Sequence, residues 1–286
     1  MNTGMTLPAY AKLNLSLDIL RKREDGYHDL RMVMQRISLH DEVTVEEVER
    51  PGIRARTDLD FLPQDDRNLA VKAARTFFAA TGLPEKNLLI TLKKRIPVCA
   101  GMAGGSADAA ATLHALRQLY CPDLPQAELE RMGAAVGSDV PYCVRGGTAL
   151  AEGRGEVLTT LPPLPECHVV VCKPEFSIST PELFGRVRVQ ELALRPDTEG
   201  IIACLTAGDA VGVARRMYNV FEEVLPPQCR EVFTIRSRLL DHGAMGAIMT
   251  GSGPTVFGLF RDGAAAERAY ADLSGDYAQA YLEKTL

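Results

Sequence analysis

What this sequence lacks narrows the field first. Its seven cysteines (Cys99, Cys121, Cys143, Cys167, Cys172, Cys204 and Cys229) are odd in number and include no C-x-x-C pair. Such usage offers neither a zinc site nor a disulfide framework, and it reads as small buried apolar residues in a reducing compartment. An excess of positive charge is missing too: 32 Lys and Arg stand against 37 Asp and Glu, a formal net charge of -5. Broad binding to a nucleic-acid backbone is therefore not expected. No run approaches the ~18 apolar residues of a membrane span, and residues 1–10 show no basic segment leading into an apolar one. A cytoplasmic chain with no membrane partner is expected. Internal repeats and low-complexity tracts are absent as well.

What is present suffices for a core. A chain of 286 residues, 46% hydrophobic and 24% charged, suggests two domains or one large one. Leu13, Leu15, Leu17 and Ile19 alternate with polar or small positions, residues 41–48 form a second β-rich run, and Arg23-Glu24-Asp25-Gly26 reads as a turn between them. Leu69, Ala73, Ala74, Phe77 and Phe78 predict a helix over 68–80, with Asp66 or Asn68 as N-cap and Gly82 as stop. A strand over 87–92, a glycine-rich loop and an alanine-rich helix over 107–119 follow, then a helix over 126–136 closed by Gly137. The prolines of 161–165 suit neither a helix interior nor a central strand, which puts a boundary between domains of residues 1–160 and 166–286. Beyond it the pattern predicts a strand over 168–172, helices near 209–224 and 228–242, a strand–loop–strand around Thr250 to Thr255, and a final helix and strand. With no repeating βαβ period, an α+β fold is preferred over a doubly wound sheet.

The loop Pro97-Val98-Cys99-Ala100-Gly101-Met102-Ala103-Gly104-Gly105-Ser106-Ala107 is the most informative segment. Its glycines permit close backbone approach, and the helix behind it aims unpaired N–H groups back at the loop, which together suit a nucleotide's phosphates. The alternative is a tight strand-to-helix turn in which Ser106 is an N-cap. A P-loop is excluded because no lysine stands in the segment, and a dinucleotide fingerprint because Gly101 and Gly104 are three apart.

Three motifs in order then carry a resemblance. Pro8-Ala9-Tyr10-Ala11-Lys12-Leu13-Asn14-Leu15, the loop at 97–107, and Thr250-Gly251-Ser252-Gly253-Pro254-Thr255 resemble the motifs of the galactokinase, homoserine kinase, mevalonate kinase and phosphomevalonate kinase (GHMP) superfamily. Gly137-Ser138-Asp139-Val140-Pro141 with Gly153-Arg154-Gly155-Glu156 resembles that superfamily's Gly-x-Asp-Val-Pro segment and its sequel. Met102 and Ala103 replace a common leucine and glycine; Met is close to Leu in volume, and Ala103 is expected to need only an ordinary dihedral. The fold implied is a two-domain GHMP kinase, with an N-terminal domain like ribosomal protein S5 and a ferredoxin-like C-terminal domain. The cofactors implied are ATP and Mg²⁺. Residues 97–107 and Asn68 would hold ATP, although helix capping accounts for Asn68 nearly as well.

A lone lysine on an apolar strand most often snorkels, and an aspartate between Gly137 and Pro141 usually caps a turn. The resemblance implies more: Lys12 beside the transferred phosphoryl group, and Asp139 as general base or as the group that orients the acceptor hydroxyl. Both must then converge with the loop around one γ-phosphate. No acidic cluster marks a Mg²⁺ ligand, so the metal's protein ligands are unknown and Ser106 is a weak candidate.

Asp25-Gly26-Tyr27-His28 and Pro174-Glu175-Phe176-Ser177-Ile178-Ser179-Thr180-Pro181-Glu182-Leu183-Phe184 resemble segments of the diphosphocytidyl-methylerythritol kinases. Aromatic rings stack on bases, and His can pair with a base's polar edge. The implied acceptor site has Tyr27 and Phe184 sandwiching a cytosine, His28 reading its edge, Thr180 beside it and Asn14 holding hydroxyls. The implied partner is a small molecule, a cytidine diphosphate-linked methylerythritol, bound by a monomer or homodimer, and the lack of a transit-like extension favours a bacterial cytoplasm over a plastid. Two rivals are a same-fold kinase for homoserine or mevalonate and a non-catalytic nucleotide- or RNA-binding module, the second disfavoured by the acidic charge balance. Tyr218-Asn219-Val220-Phe221-Glu222 is given a packing role.

Overall fold

The computed structural model describes residues 4–286. In chain order the elements are β1 (Gly4–Lys22), β2 (His28–Glu47), β3 (Ile53–Thr57), α1 (Leu69–Thr81), β4 (Leu88–Lys93), α2 (Gly104–Tyr120), α3 (Gln126–Val136), α4 (Val140–Arg145), β5 (Thr148–Gly153), β6 (Val157–Thr160), β7 (His168–Lys173), α5 (Thr180–Arg186), α6 (Thr198–Thr206), α7 (Ala210–Arg216), β8 (Tyr218–Asn219), α8 (Glu231–Asp241), β9 (Gly246–Met249), β10 (Val256–Phe260), α9 (Gly263–Asp276) and β11 (Gln279–Lys284). This mixed content is α+β, as the irregular alternation predicts.

The chain divides into two units that are not contiguous in sequence. One takes the segment up to Ala11, His40–Ile96 and Ala103–Gly146; the other takes Lys12–Leu39, Pro97–Met102 and Gly147–Leu286. The proline-rich stretch 161–165 lies inside the second unit, between β6 and β7.

In the first unit, β4 runs antiparallel to the second half of β2 and parallel to β3, with Val43 opposite Leu92 and Ile53 opposite Leu88. Leu88, Ile90 and Leu92 are buried while the residues between them are not, the period-2 alternation of a one-sided strand. Helix α1 begins where the Asn68 side chain accepts from the Ala70 amide, and it ends where Gly82 turns left-handed at φ 70°. Its buried face, Ala70, Val71, Ala73, Ala74, Phe77 and Phe78, packs on α2. Alanines at 107, 109, 110, 111 and 115 of α2 are buried and allow close approach, so the bulky Phe77, fully buried, contributes on the order of 1.5–3 kcal/mol.

In the second unit, β5 pairs antiparallel with the first half of β2 and with β6. A four-stranded antiparallel sheet runs β11-β7-β10-β9, with α8 and α9 against it. Alternation along β1 predicts one buried face, but the structure buries both: Leu13, Leu15, Leu17 and Ile19, and also Lys12, Asn14, Ser16 and Asp18. The polar set is retained inside because it has partners, among them Ser16 Oγ, which accepts from the Val33 amide at 3.2 Å.

Several boundaries differ from expectation. The helical segment predicted to reach 224 stops at Arg216. Tyr218 and Asn219 pair in parallel with Ser16 and Leu17, and Val220–Val224 is a 3₁₀ turn. Asn219 enforces the break by accepting from the Phe221 amide and donating to the carbonyls of Met249 and Gly251, each at 2.8 Å. The helix predicted from 228 begins at Glu231, after a 3₁₀ turn at Pro227–Cys229. Helix α2 starts at Gly104, three residues before its predicted start, and Ala103 takes φ 60° where an ordinary dihedral was expected. The left-handed value turns the chain out of the loop into the helix, at a cost of about 1 kcal/mol for a residue with a Cβ.

Candidate active site

Three distant motifs meet in the second unit. The Lys12 amide donates to the Met102 carbonyl at 3.2 Å, which ties the first motif to the loop. The Asn14 amide donates to Thr250 Oγ1 at 3.0 Å, which ties it to the third. Between loop and third motif the backbones touch: a Cβ on Gly101 would lie 2.2 Å from the Thr250 carbonyl oxygen, and one on Gly251 would lie 2.6 Å from the Gly101 carbonyl oxygen. Both glycines also have positive φ, 72° and 56°, so neither position accepts another residue without strain.

Lys12 is 4% exposed, and its ammonium donates to Asn14 Oδ1 at 2.6 Å, while Asn14 Nδ2 donates to Met32 Sδ at 3.4 Å. The snorkelling alternative is not realised: this is an inward cation steadied by a buried amide. Asn219, given only a packing role from sequence, holds the carbonyls on either side of Thr250. Thr180 Oγ1 and Ser252 Oγ share a hydrogen bond of 2.7 Å, which brings the start of α5 to the third motif.

The aromatic segments lie in the same unit. His28 stacks on Phe184, and Phe184 meets Phe221 edge-on at 4.9 Å and 88°. Tyr27 is 55% exposed with the Arg154 guanidinium 4.9 Å from its ring centroid. Burial, helped by the Lys22 charge, lowers the His28 pKa, so its ring is neutral at pH 7 with one nitrogen donating and the other accepting. The face of Phe184 expected to meet a base is thus covered by the His28 ring.

In the first unit the start of α2 has no side-chain cap. The amides of Gly104, Gly105 and Ser106 precede the first helical hydrogen bond, which runs from the Ala107 amide to the Ala103 carbonyl at 2.8 Å, and so have no partner within the helix. Ser106 sits within the first turn and does not cap. A Cβ on Gly137 would lie 4.0 Å from Ser106 Oγ, so the Gly137-Ser138-Asp139 turn borders this helix end. Asp139 occupies the N-cap position of α4, and its side chain makes no capping hydrogen bond to that helix. Asn68 does cap, accepting from Ala70 and donating to the Pro63 carbonyl at 2.8 Å, which leaves one N–H and one lone pair of its amide for other use.

Sequence reading overlooked one cluster. Lys94 donates to Asp41 Oδ2 and, at 2.6 Å, to Asp108 Oδ2, and all three side chains are nearly inaccessible. Asp41 Oδ1 accepts from the amides of Arg95 at 2.5 Å and Ile96 at 2.8 Å. Burial raises the Asp108 carboxyl to about 7 against the pull of Lys94. An aspartate inside an alanine-rich helix, with a Lys-Lys-Arg run before the loop, was the available signal.

Among the described residues no group of three or more His, Cys, Asp or Glu is placed to hold a metal ion, and no helix is long and apolar enough to cross a membrane.

The family model for the GHMP kinases N terminal domain matches residues 68–147, and that for the GHMP kinases C terminal matches residues 201–279. The 4-diphosphocytidyl-2-C-methyl-D-erythritol kinase of Lachnoclostridium phytofermentans is 43% identical over 266 residues, 93% of this chain and 91% of that protein. The enzyme of that name from Clostridium botulinum is 40% identical over 282 residues, 99% of this chain and all of the other. A crystal structure of 4-(cytidine 5'-diphospho)-2C-methyl-D-erythritol kinase superposes with a TM-score of 0.83 at 33% identity, covering 98% of this chain and 99% of that one. A homoserine kinase from Cytophaga hutchinsonii shares the fold, with a TM-score of 0.77 at 19% identity over all of this chain and 95% of that one. On its motifs, its fold and this full-length similarity, the chain belongs to the GHMP kinases and, within them, to the 4-diphosphocytidyl-2-C-methyl-D-erythritol kinase family.

Proposed function

We propose that this chain transfers the γ-phosphoryl group of ATP to the 2-hydroxyl of 4-diphosphocytidyl-2-C-methyl-D-erythritol, a step of non-mevalonate isoprenoid synthesis, in a bacterial cytoplasm. The observation that carries the choice of acceptor is the His28–Phe184 ring pair beside an exposed Tyr27, which serves a substrate with a base and has no use for homoserine or mevalonate. The base enters against Phe184 as His28 swings aside, with Tyr27 on its other face, and the neutral His28 ring then offers a donor and an acceptor to the base's edge. Asn14 and Thr180 hold the acceptor's hydroxyls.

ATP lies along residues 97–107, its phosphates on the uncapped amides of Gly104, Gly105 and Ser106, with Asn68 near the adenine. Lys12 offsets charge on the transferred phosphoryl oxygens, and Asp139 takes or orients the acceptor proton. Ser106 is the candidate protein contact for Mg²⁺, which when bound would neutralise charge on the nucleotide's phosphates; among the described residues no cluster of three or more His, Cys, Asp or Glu is placed to hold it. The domain boundary proposed at 161–165 is supported by the family models, which fall on either side of it.

An ADP-release assay with the three acceptors tests the reading. Activity on the cytidine-bearing acceptor alone is expected; turnover confined to homoserine or mevalonate rejects it.

A further inference from the structure

The loop that would hold the nucleotide's phosphates has an entrance and an exit, and one buried ammonium connects them. At the entrance, Asp41 accepts from the amides of Arg95 and Ile96, which fixes the direction in which the chain leaves β4. At the exit, Asp108 lies on the inner side of α2, 3% exposed. Lys94 donates to both carboxylates, and its own backbone amide is held by Asp58 at 3.2 Å. The Lys94 nitrogen would lie 3.6 Å from a Cβ placed on Gly104, so the charge sits directly behind the first amide of α2. A side chain only 4% exposed acts there through the backbone it fixes and through its field, not as a solvent-facing hook.

We propose that Lys94 is a positioning residue for the nucleotide's phosphates, holding the start of α2 at a set distance from the loop entrance through Asp41 and Asp108. The assignment rests on the kinase reading above. Asp41 accepts from two backbone amides as well as from Lys94, and Asp108 accepts from Lys94 through Oδ2, so one ammonium sets the spacing between the chain leaving β4 and the first turns of α2.

The test is calorimetric titration of the full chain with a nonhydrolysable ATP analogue, without acceptor. Lys94→Met is expected to raise Kd by about tenfold or more, because misplacing a positioned group by an ångström costs that order, and Lys94→Arg should recover most of the loss. Steady-state assays should show the change in KM for ATP, with the acceptor KM steady. Asp108→Ala removes the acceptor that Lys94 has on α2 and stands in if Lys94→Met does not fold; it should also raise Kd, whereas Asp108→Asn, which keeps an acceptor, should raise it less. Unmodified protein that binds, paired with a Lys94→Met or Asp108→Ala protein of equal affinity, overturns the proposal alone. Unmodified protein that does not bind overturns the nucleotide loop along with it.

Discussion

The ring of His28 lies nearly parallel to that of Phe184, with centroids 4.9 Å and planes 22° apart. One ring comes from the start of β2 and the other from α5, so two segments remote in sequence make a single stacking surface. Aromatic stacking on a base is worth ~1–3 kcal/mol, and Phe184→Ala should therefore raise the acceptor KM by roughly 5- to 150-fold. Initial rates with each substrate varied would check this: a changed ATP KM with a constant acceptor KM would place Phe184 elsewhere in the reaction.

On the proposed reading, His28 should make acceptor binding sensitive to acid. Its pKa is lowered, chiefly by burial, so the ring is neutral over the physiological range and gains its proton only below the ordinary value of ~6.5. Acceptor affinity should hold from pH 8 down through pH 7 and fall as the ring becomes charged and loses its accepting nitrogen. In His28→Gln the acid limb should disappear; a limb that persists assigns it to another group.

Asp139→Asn removes the carboxylate but keeps the shape of the turn before α4. Turnover should drop by about 10²–10⁴-fold, the range for a lost general base, while the ATP analogue still binds. Lys12→Met should likewise lower kcat, by about 10²-fold for a lost charge stabiliser. Single-turnover quenched-flow rates distinguish chemistry from binding, and full activity of either variant removes that residue from the mechanism.

Gly101→Ala combines a left-handed φ with a Cβ 2.2 Å from a backbone oxygen. The dihedral alone costs about 1–2 kcal/mol, and the contact adds to it because backbone cannot rotate away. Thermal melts should show a clear loss of stability accompanied by weaker nucleotide binding. Gly82→Ala is the control: it shares the positive φ of 70° but meets nothing within 4 Å, so it should be destabilised less.

Periodicity made much of the fold legible. The helix from 126 to 136 stands where Leu129, Met132 and Val136 put it, and Asn68 and Gly82 bound α1 as their types suggest. Short elements were not legible: α4 has 6 residues and β6 has 4, too few for a period to show above composition. The end of α7 was hidden because the break depends on what the Asn219 amide finds across the chain. In the site, glycine spacing pointed to the loop, and Lys12 could be placed by motif resemblance. Lys94, Asp41 and Asp108 escaped because each looks like an ordinary surface charge, and only the pairing explains their burial.

The interlocked backbones of Gly101 and Gly251 have a consequence for chimeric proteins. A 97–102 loop transplanted by itself from a distant relative would arrive without the hairpin tip shaped to receive it. Swaps that carry residues 97–102 and 250–253 together should yield folded hybrids, whereas exchanging either stretch singly should give insoluble ones; the two pieces behave as one hereditary part despite the long stretch of chain between them.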